Sequence, residues 1–123
     1  MKIIDAILLA DASADNDIEQ AVKLQWLSAL DGKLAEEVCN KHVDTAVDFR
    51  GYDETTDMKE TELLVPDPWS ELYPDYLEMR IYLLQKEIDR YNNAAMVYAE
   101  SLRQWVNWFN KRHMPVSYGA LRF

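Results

Sequence analysis

Apolar and aromatic residues recur through the second half of the chain with steps that alternate between four and three positions. The stripe consists of Leu77, Ile81, Leu84, Ile88, Tyr91, Ala95, Tyr98, Leu102, Trp105 and Phe109. Because this spacing keeps one side of an α-helix apolar, it predicts a continuous helix from about Pro74 to Arg112. Such a helix is roughly 60 Å long at about 1.5 Å per residue, so it must pack against other helices or other copies of the chain. A break at Asn92-Asn93 would convert it into a hairpin, but the unbroken phase of the stripe favours continuity.

The first half of the chain has the pattern of two shorter helices. One is predicted over residues 2–10, and the polar stretch DASADND that follows indicates a break. Asp17 is the predicted N-cap of the second helix, with Gln20 three residues later as in a capping box. This helix is expected over residues 18–41, where Gly32 marks either a kink or a division into two helices.

The helical periodicity fails over residues 42–62, which are predicted to form an irregular acidic connection. Arg50-Gly51 within this segment is compatible with a small turn or hairpin. Connections of this length in a small domain often carry function. Two prolines then exclude a helix, and the next helix is expected to begin near Trp69.

These elements define the expected fold class. Three glycines and four prolines in the whole chain favour long helices over many short strands. We therefore expect an all-α fold, namely a small helical bundle with one long C-terminal helix and an irregular acidic connection. The chain of 123 residues is long enough for a single domain over 1–123, with residues 116–123 as a tail.

Charge is distributed unevenly along the chain, whose net charge is −9. The segment 44–62 carries the acidic residues Asp44, Asp48, Asp53, Glu54, Asp57, Glu60 and Glu62. Beyond Glu100 there are bases but no acids, so the C-terminal end is locally basic. This polarity suits head-to-tail or ring contacts with an oppositely charged neighbour, although an acidic surface can also serve solubility alone. The overall acidity argues against sequence-specific DNA binding, which needs a basic face.

The basic C-terminal end is also rich in aromatic residues, and this combination is typical of the anchor residues of protein interfaces. The candidate partner or oligomer interface consists of Arg103, Trp105, Trp108, Phe109, Lys111, Arg112, Tyr118, Arg122 and Phe123. The alternative is that the long stripe is the core face of an ordinary bundle. The tail after Pro115 either frays or docks on a partner.

The sequence contains none of the common motifs for catalysis, nucleotide binding or metal binding that we considered. No phosphate-binding loop, dinucleotide fingerprint, zinc signature or serine-hydrolase motif occurs. His42 and His113 both lie near predicted helix ends, where a cation interacts favourably with the helix dipole. The single cysteine, Cys39, excludes an intrachain disulfide and fits a reducing compartment. We expect no enzymatic activity, no catalytic residue, no cofactor and no metal.

Three segments of the chain resemble a small family of proteins from tailed phages and prophages of Gram-positive bacteria. They are LQWLSALDGKLAEEV (24–38), ELLVPDPWSELYPDYL (62–77) and DRYNNAAMVYAESLRQWVNWFNKRHMP (89–115). The resemblance covers most of the chain except residues 42–60. Trp69 stands where the family pattern has Tyr, which preserves an aromatic side chain. The family is similar to the head–tail connector, or adaptor, proteins of phage heads.

The resemblance implies a structural protein of the virion neck, made in the host cytoplasm, that assembles as a ring on the portal and links head to tail. Its partners would be the portal protein, neighbouring copies and a tail-side connector, with no membrane involved. DNA would pass through the ring without specific binding. The basic aromatic end would face the portal or a neighbour, and the acidic segment would face a neighbour, the tail side or the DNA channel. The alternative is a small acidic phage protein that mimics DNA and inhibits a host nuclease or polymerase.

Overall fold

The fold is built from α-helices in the computed structural model, which describes residues 1–41 and 47–112. The helices of this described part are α1 (Ile3–Ser13), α2 (Gln20–Glu37), α3 (Leu72–Leu84) and α4 (Ile88–Arg112). Single 3-10 turns lie at Cys39–Lys41 and Trp69–Glu71. The described residues contain no β-strand, only an isolated bridge between Lys2 and Glu62. The predicted all-α class with a long last helix is therefore confirmed.

Contacts between the helices define an arrangement in which neighbours along the chain run in opposite directions. The start of α2 meets the end of α1 where Lys23 Nζ lies 2.7 Å from Asp11 Oδ1. The end of α3 meets the residues after α1, because Gln85 Nε2 donates to the Asp15 carbonyl at 2.9 Å. Helix α4 returns along α3, and the rings of Tyr76 and Tyr98 lie 5.1 Å apart. The helices thus pack with α1 and α3 parallel and with α2 and α4 reversed.

The core lies mainly between α1, α2 and α3. Its largest fully buried aliphatic side chains are Ile3, Ile7, Leu27, Val65, Leu72, Leu77 and Ile81. Helix α4 adds Trp105 and Phe109 near its C-terminal end, while Met96 and Val97 in its middle are exposed. Within the described residues no helix combines the length and the apolar character that crossing a bilayer requires.

The predicted continuous helix from Pro74 to Arg112 is wrong, because the chain reverses over residues 85–87. Lys86 adopts a left-handed conformation with φ of 60°. The Lys86 amide donates to the Leu83 carbonyl and the Glu87 amide to the Tyr82 carbonyl. This pair of hydrogen bonds is a Schellman motif, which ends a helix and satisfies its last carbonyls. Lys86 also lies six residues before the Asn92-Asn93 position at which a hairpin was considered.

The reversal divides the apolar stripe between two helices. Leu84 and Ile88, which flank the turn, are 58% and 57% exposed. Leu77 on α3 and Trp105 on α4 are buried. The two halves of the stripe therefore face each other across a helical hairpin instead of lining one long helix.

The start of α2 also differs from the prediction. Glu19, not Asp17, precedes the first residue of α2, and no side chain caps that end. Asn16 organises the turn instead, since its side chain accepts a hydrogen bond from the Ile18 amide and donates to Asp11. Helix α2 runs through Gly32 as one helix, so the division considered at that residue does not occur.

The conformation of Lys86 yields a test that separates a hairpin from a continuous helix. Lys86→Gly should raise the free energy of unfolding by about 1 kcal/mol, because glycine has no penalty in the left-handed region. Lys86→Ala removes the same charge but keeps a Cβ, so it serves as the matched control and should show no such gain. Both are measured by urea unfolding. A continuous helix would reverse the order, with Gly about 1 kcal/mol less stable than Ala.

Candidate functional site

A buried carboxylate in α2 connects three separate segments of the chain. Asp31 is fully buried. Its Oδ2 atom accepts hydrogen bonds from the Tyr52 hydroxyl at 2.5 Å and from the Leu64 amide at 3.1 Å. Its Oδ1 atom accepts from the Tyr73 hydroxyl at 2.6 Å. Helix α2, the acidic connection and the first turn of α3 therefore meet at one side chain.

Further contacts from the same face of α2 hold the acidic connection. The Ser28 hydroxyl accepts a hydrogen bond from the Tyr52 amide at 2.9 Å. Gly51 has a φ of 91°, and a Cβ at this position would lie 3.0 Å from the Ser28 Oγ atom. Both constraints favour glycine there. The Tyr73 hydroxyl, which donates to Asp31, also accepts from the Val65 amide at 2.7 Å.

The electrostatics of this cluster follow from burial. Burial raises the pKa of the Asp31 carboxyl, and the hydrogen bonds from Tyr52, Tyr73 and Leu64 offset part of that rise. Burial and then the charge of Asp31 raise the pKa of both tyrosines. The two phenols therefore stay protonated and act as hydrogen-bond donors at neutral pH.

The acidic side chains of the connection lie on its exposed surface, and Asp44 lies outside the described residues. Two tight turns order them. The Asp53 carboxylate accepts from the Thr55 amide at 2.8 Å, and the Asp57 carboxylate accepts from the Lys59 amide at 3.0 Å. The hydrogen bonds with Thr55 lower the pKa of Asp53. Glu54, within the first turn, has no cationic partner among the described residues.

The remaining acids of the connection are partly neutralised within the chain. Glu62 pairs with the N-terminal ammonium of Met1 at 3.1 Å, and Glu60 with Lys2 at 3.7 Å. Asp48 pairs with Arg50 at 3.0 Å. In residues 1–41 and 47–112, no group of three or more His, Cys, Asp or Glu side chains is arranged to hold a metal ion.

The structure divides the predicted aromatic interface set into core and surface. Trp105 and Phe109 are buried, with ring centroids 5.4 Å apart. Trp108 is half-buried, with its ring 5.6 Å from that of Trp69 and with the Arg112 guanidinium 5.3 Å from its ring centroid. Three members of the set, Tyr118, Arg122 and Phe123, lie outside the described residues.

Trp69 and Trp108 form the floor of a shallow cleft of about 400 Å³. Its other lining residues are Arg103, Gln104, Asn107 and Lys111. Arg103 makes two hydrogen bonds to Glu100, at 2.9 and 2.5 Å. Lys111 has no anionic partner among the described residues. This cleft, which we call the tryptophan cleft, therefore combines an aromatic floor with a cationic rim.

Sequence reasoning missed Asp31 and Trp69 as site residues. A signal for Asp31 was present, because it follows Leu24 and Leu27 and precedes Leu34 and Val38 at steps of three and four, and all five are buried. A charged residue inside a buried stripe needs partners. Trp69 is 39 positions from Trp108, so local spacing could not bring the two together.

Comparison of the chain with models of protein families, with curated proteins and with solved structures gives no match. The functional interpretation therefore depends on the chain's own residues and on the resemblance described above.

The role of Asp31 can be tested through stability. Asp31→Ala should lower the free energy of unfolding by about 3 kcal/mol or more, since the Tyr52 and Tyr73 hydroxyls and the Leu64 amide lose their acceptor. Asp31→Asn retains one acceptor oxygen and should cost less, about 1–2 kcal/mol. Glu54→Ala, which removes an exposed carboxylate, is the control and should change stability by less than about 0.5 kcal/mol. If Asp31→Ala behaved like this control in urea unfolding, the carboxylate would not be a structural junction.

Proposed function

We propose that this chain is a structural adaptor in the neck of a tailed phage. It assembles as a ring on the portal protein, contacts neighbouring copies and a tail-side connector, and links the head to the tail. It acts without enzymatic chemistry, is made in the host cytoplasm, and lets DNA pass without binding it specifically.

The observation that carries the proposal is the pair of charged surfaces held by one helical scaffold. Lys111 lines the tryptophan cleft and Arg112 lies over its Trp108 ring, at the end of α4, while the acidic connection presents Glu54 in its first turn. Aromatic residues with arginine are enriched at the anchors of protein interfaces. Charge complementarity between such surfaces determines which partners associate and in what register.

The resemblance to phage connectors is a second argument for the proposal. The strings that carry it contain Ser28 and Asp31 on α2, Leu64 and Val65 before α3, and Tyr73 on α3. Leu64 and Tyr73 donate to the Asp31 carboxylate, and Ser28 and Val65 bond to the tyrosines around it. The third donor, Tyr52, lies outside these strings. The resembling segments therefore coincide with the framework of the fold.

Co-sedimentation with purified portal protein from the same phage, followed by electron microscopy of the complex, tests the proposal. We expect a ring of the chain stacked on the portal. Lys111→Glu/Arg112→Glu should prevent ring formation, because it reverses the charge at the rim of the tryptophan cleft. The control Lys33→Glu/Lys86→Glu makes the same change in net charge at exposed positions elsewhere and should assemble normally.

No binding of the wild-type chain to intact portal would contradict the proposal. The second candidate, inhibition of a host nucleic-acid enzyme by DNA mimicry, draws on the net charge of −9 and on exposed acids such as Glu54. It predicts tight binding to a host nuclease or polymerase that duplex DNA displaces. That result, together with failure to bind portal, would replace the adaptor proposal.

A further inference from the structure

The tryptophan cleft has the chemistry of a site for an acidic segment. Arg112 lies over one of its two indole rings, and Lys111 stands at its edge. Helix α4 carries no acidic residue after Glu100, and Glu100 is engaged by Arg103. A ligand that enters the cleft therefore meets apolar aromatic surface below and positive charge at the rim, which fits carboxylates on a chain with some apolar character.

The acidic connection has the complementary properties. Its turn Asp53–Thr56 is closed by the hydrogen bond from the Thr56 amide to the Asp53 carbonyl at 3.0 Å. The following turn is closed by the bond from the Thr61 amide to the Asp57 carbonyl at 2.9 Å. Because Tyr52 anchors these turns on α2, residues 52–61 are held in place before they meet a partner. Little further ordering entropy is lost on binding.

The two surfaces are held by different helices within one copy of the chain. The acidic connection is fastened to α1 and α2, through the Ile3 and Ile4 amides and through Tyr52. The tryptophan cleft belongs to α4 and the turn before α3. Among the described residues, no ion pair joins Lys111 or any other cation of α4 to this connection.

We propose that the tryptophan cleft of one copy receives the acidic connection of a second copy. Charge complementarity selects this occupant, since the chain itself supplies an ordered acidic segment for its own cationic cleft. The contact joins two different surfaces, so every copy offers one cleft and one connection. Such a heterologous interface closes into a ring when the rotation between copies allows it. The inference rests on the proposed function, because it identifies the partner of the same basic aromatic end.

A charge exchange between two variants tests this contact. In the first variant, Lys111→Glu/Arg112→Glu makes the cleft rim acidic. In the second, Asp48→Lys/Glu54→Lys/Glu60→Lys leaves four acids and five bases over residues 44–62 and so makes the connection basic, without altering the side chains that close its turns. Each variant alone should lose assembly on the portal by about tenfold or more, because like charges then face each other.

The mixture of the two variants is the decisive sample. The acidic rim of the first variant meets the basic connection of the second, and the basic rim of the second meets the acidic connection of the first. Alternating copies should therefore recover assembly, whereas each variant alone at the same total concentration should not. Failure of the mixture, with both variants folded as judged by circular dichroism, would overturn the inference.

Zero-length carbodiimide cross-linking of the wild-type chain gives an independent readout. Equal amounts of unlabelled and ¹⁵N-labelled protein are cross-linked at high concentration and low salt, with and without portal, and analysed by mass spectrometry. Mixed-isotope links from Lys111 to Glu54 or Asp57 are expected and should decline as salt screens the charges. Links from Lys111 to the portal alone would overturn this inference but leave the adaptor proposal intact. Mixed-isotope links between copies, without binding to the portal, would support the contact between copies and contradict the adaptor proposal.

Discussion

The hydrogen bonds to the Asp31 carboxylate are the constraint on which the rest of the structure depends. A buried charge is tolerated only where donors replace the water it has lost. Here the hydroxyls of Tyr52 and Tyr73 and the amide of Leu64 do so. Hydrogen bonds to a charged group contribute about 1.5–3 kcal/mol each, so this junction outweighs any exposed ion pair of the acidic connection. One side chain thereby joins segments separated by as many as 42 positions.

The junction also determines where the two charged surfaces lie. Tyr52 fixes the acidic connection on α2, and Tyr73 fixes the beginning of α3 beside it. The turn before α3 places Trp69 against Trp108, because α4 returns along α3 after the Lys86 turn. Both the cleft and the acidic segment are thus held by rigid elements, which is the condition for an interface that does not have to order itself on binding.

Periodicity alone was sufficient for the fold class and for the existence of a long last helix. It could not reveal the hairpin, because the turn over residues 85–87 contains neither Gly nor Pro and keeps the four–three phase of the stripe. Lys86 in the left-handed region is uncommon for a residue with a Cβ. The hydrogen-bond partners of Asp31 could not be predicted either, because they come from positions 52, 64 and 73. Local spacing carries no information about contacts between residues so far apart in the sequence. The place of Asp31 in the buried stripe of α2 was the signal that the sequence contained.

Amide hydrogen exchange of the wild-type chain by NMR tests the central claim, that the Asp31 junction holds the chain between the acidic connection and α3 to the helices. The Leu64 and Val65 amides lie outside any helix, yet they donate to Asp31 and to Tyr73. The account predicts that they exchange as slowly as amides in the middle of α2. The exposed turn residue Glu54 provides the fast internal reference. Exchange of Leu64 and Val65 as fast as that of Glu54 would contradict the account.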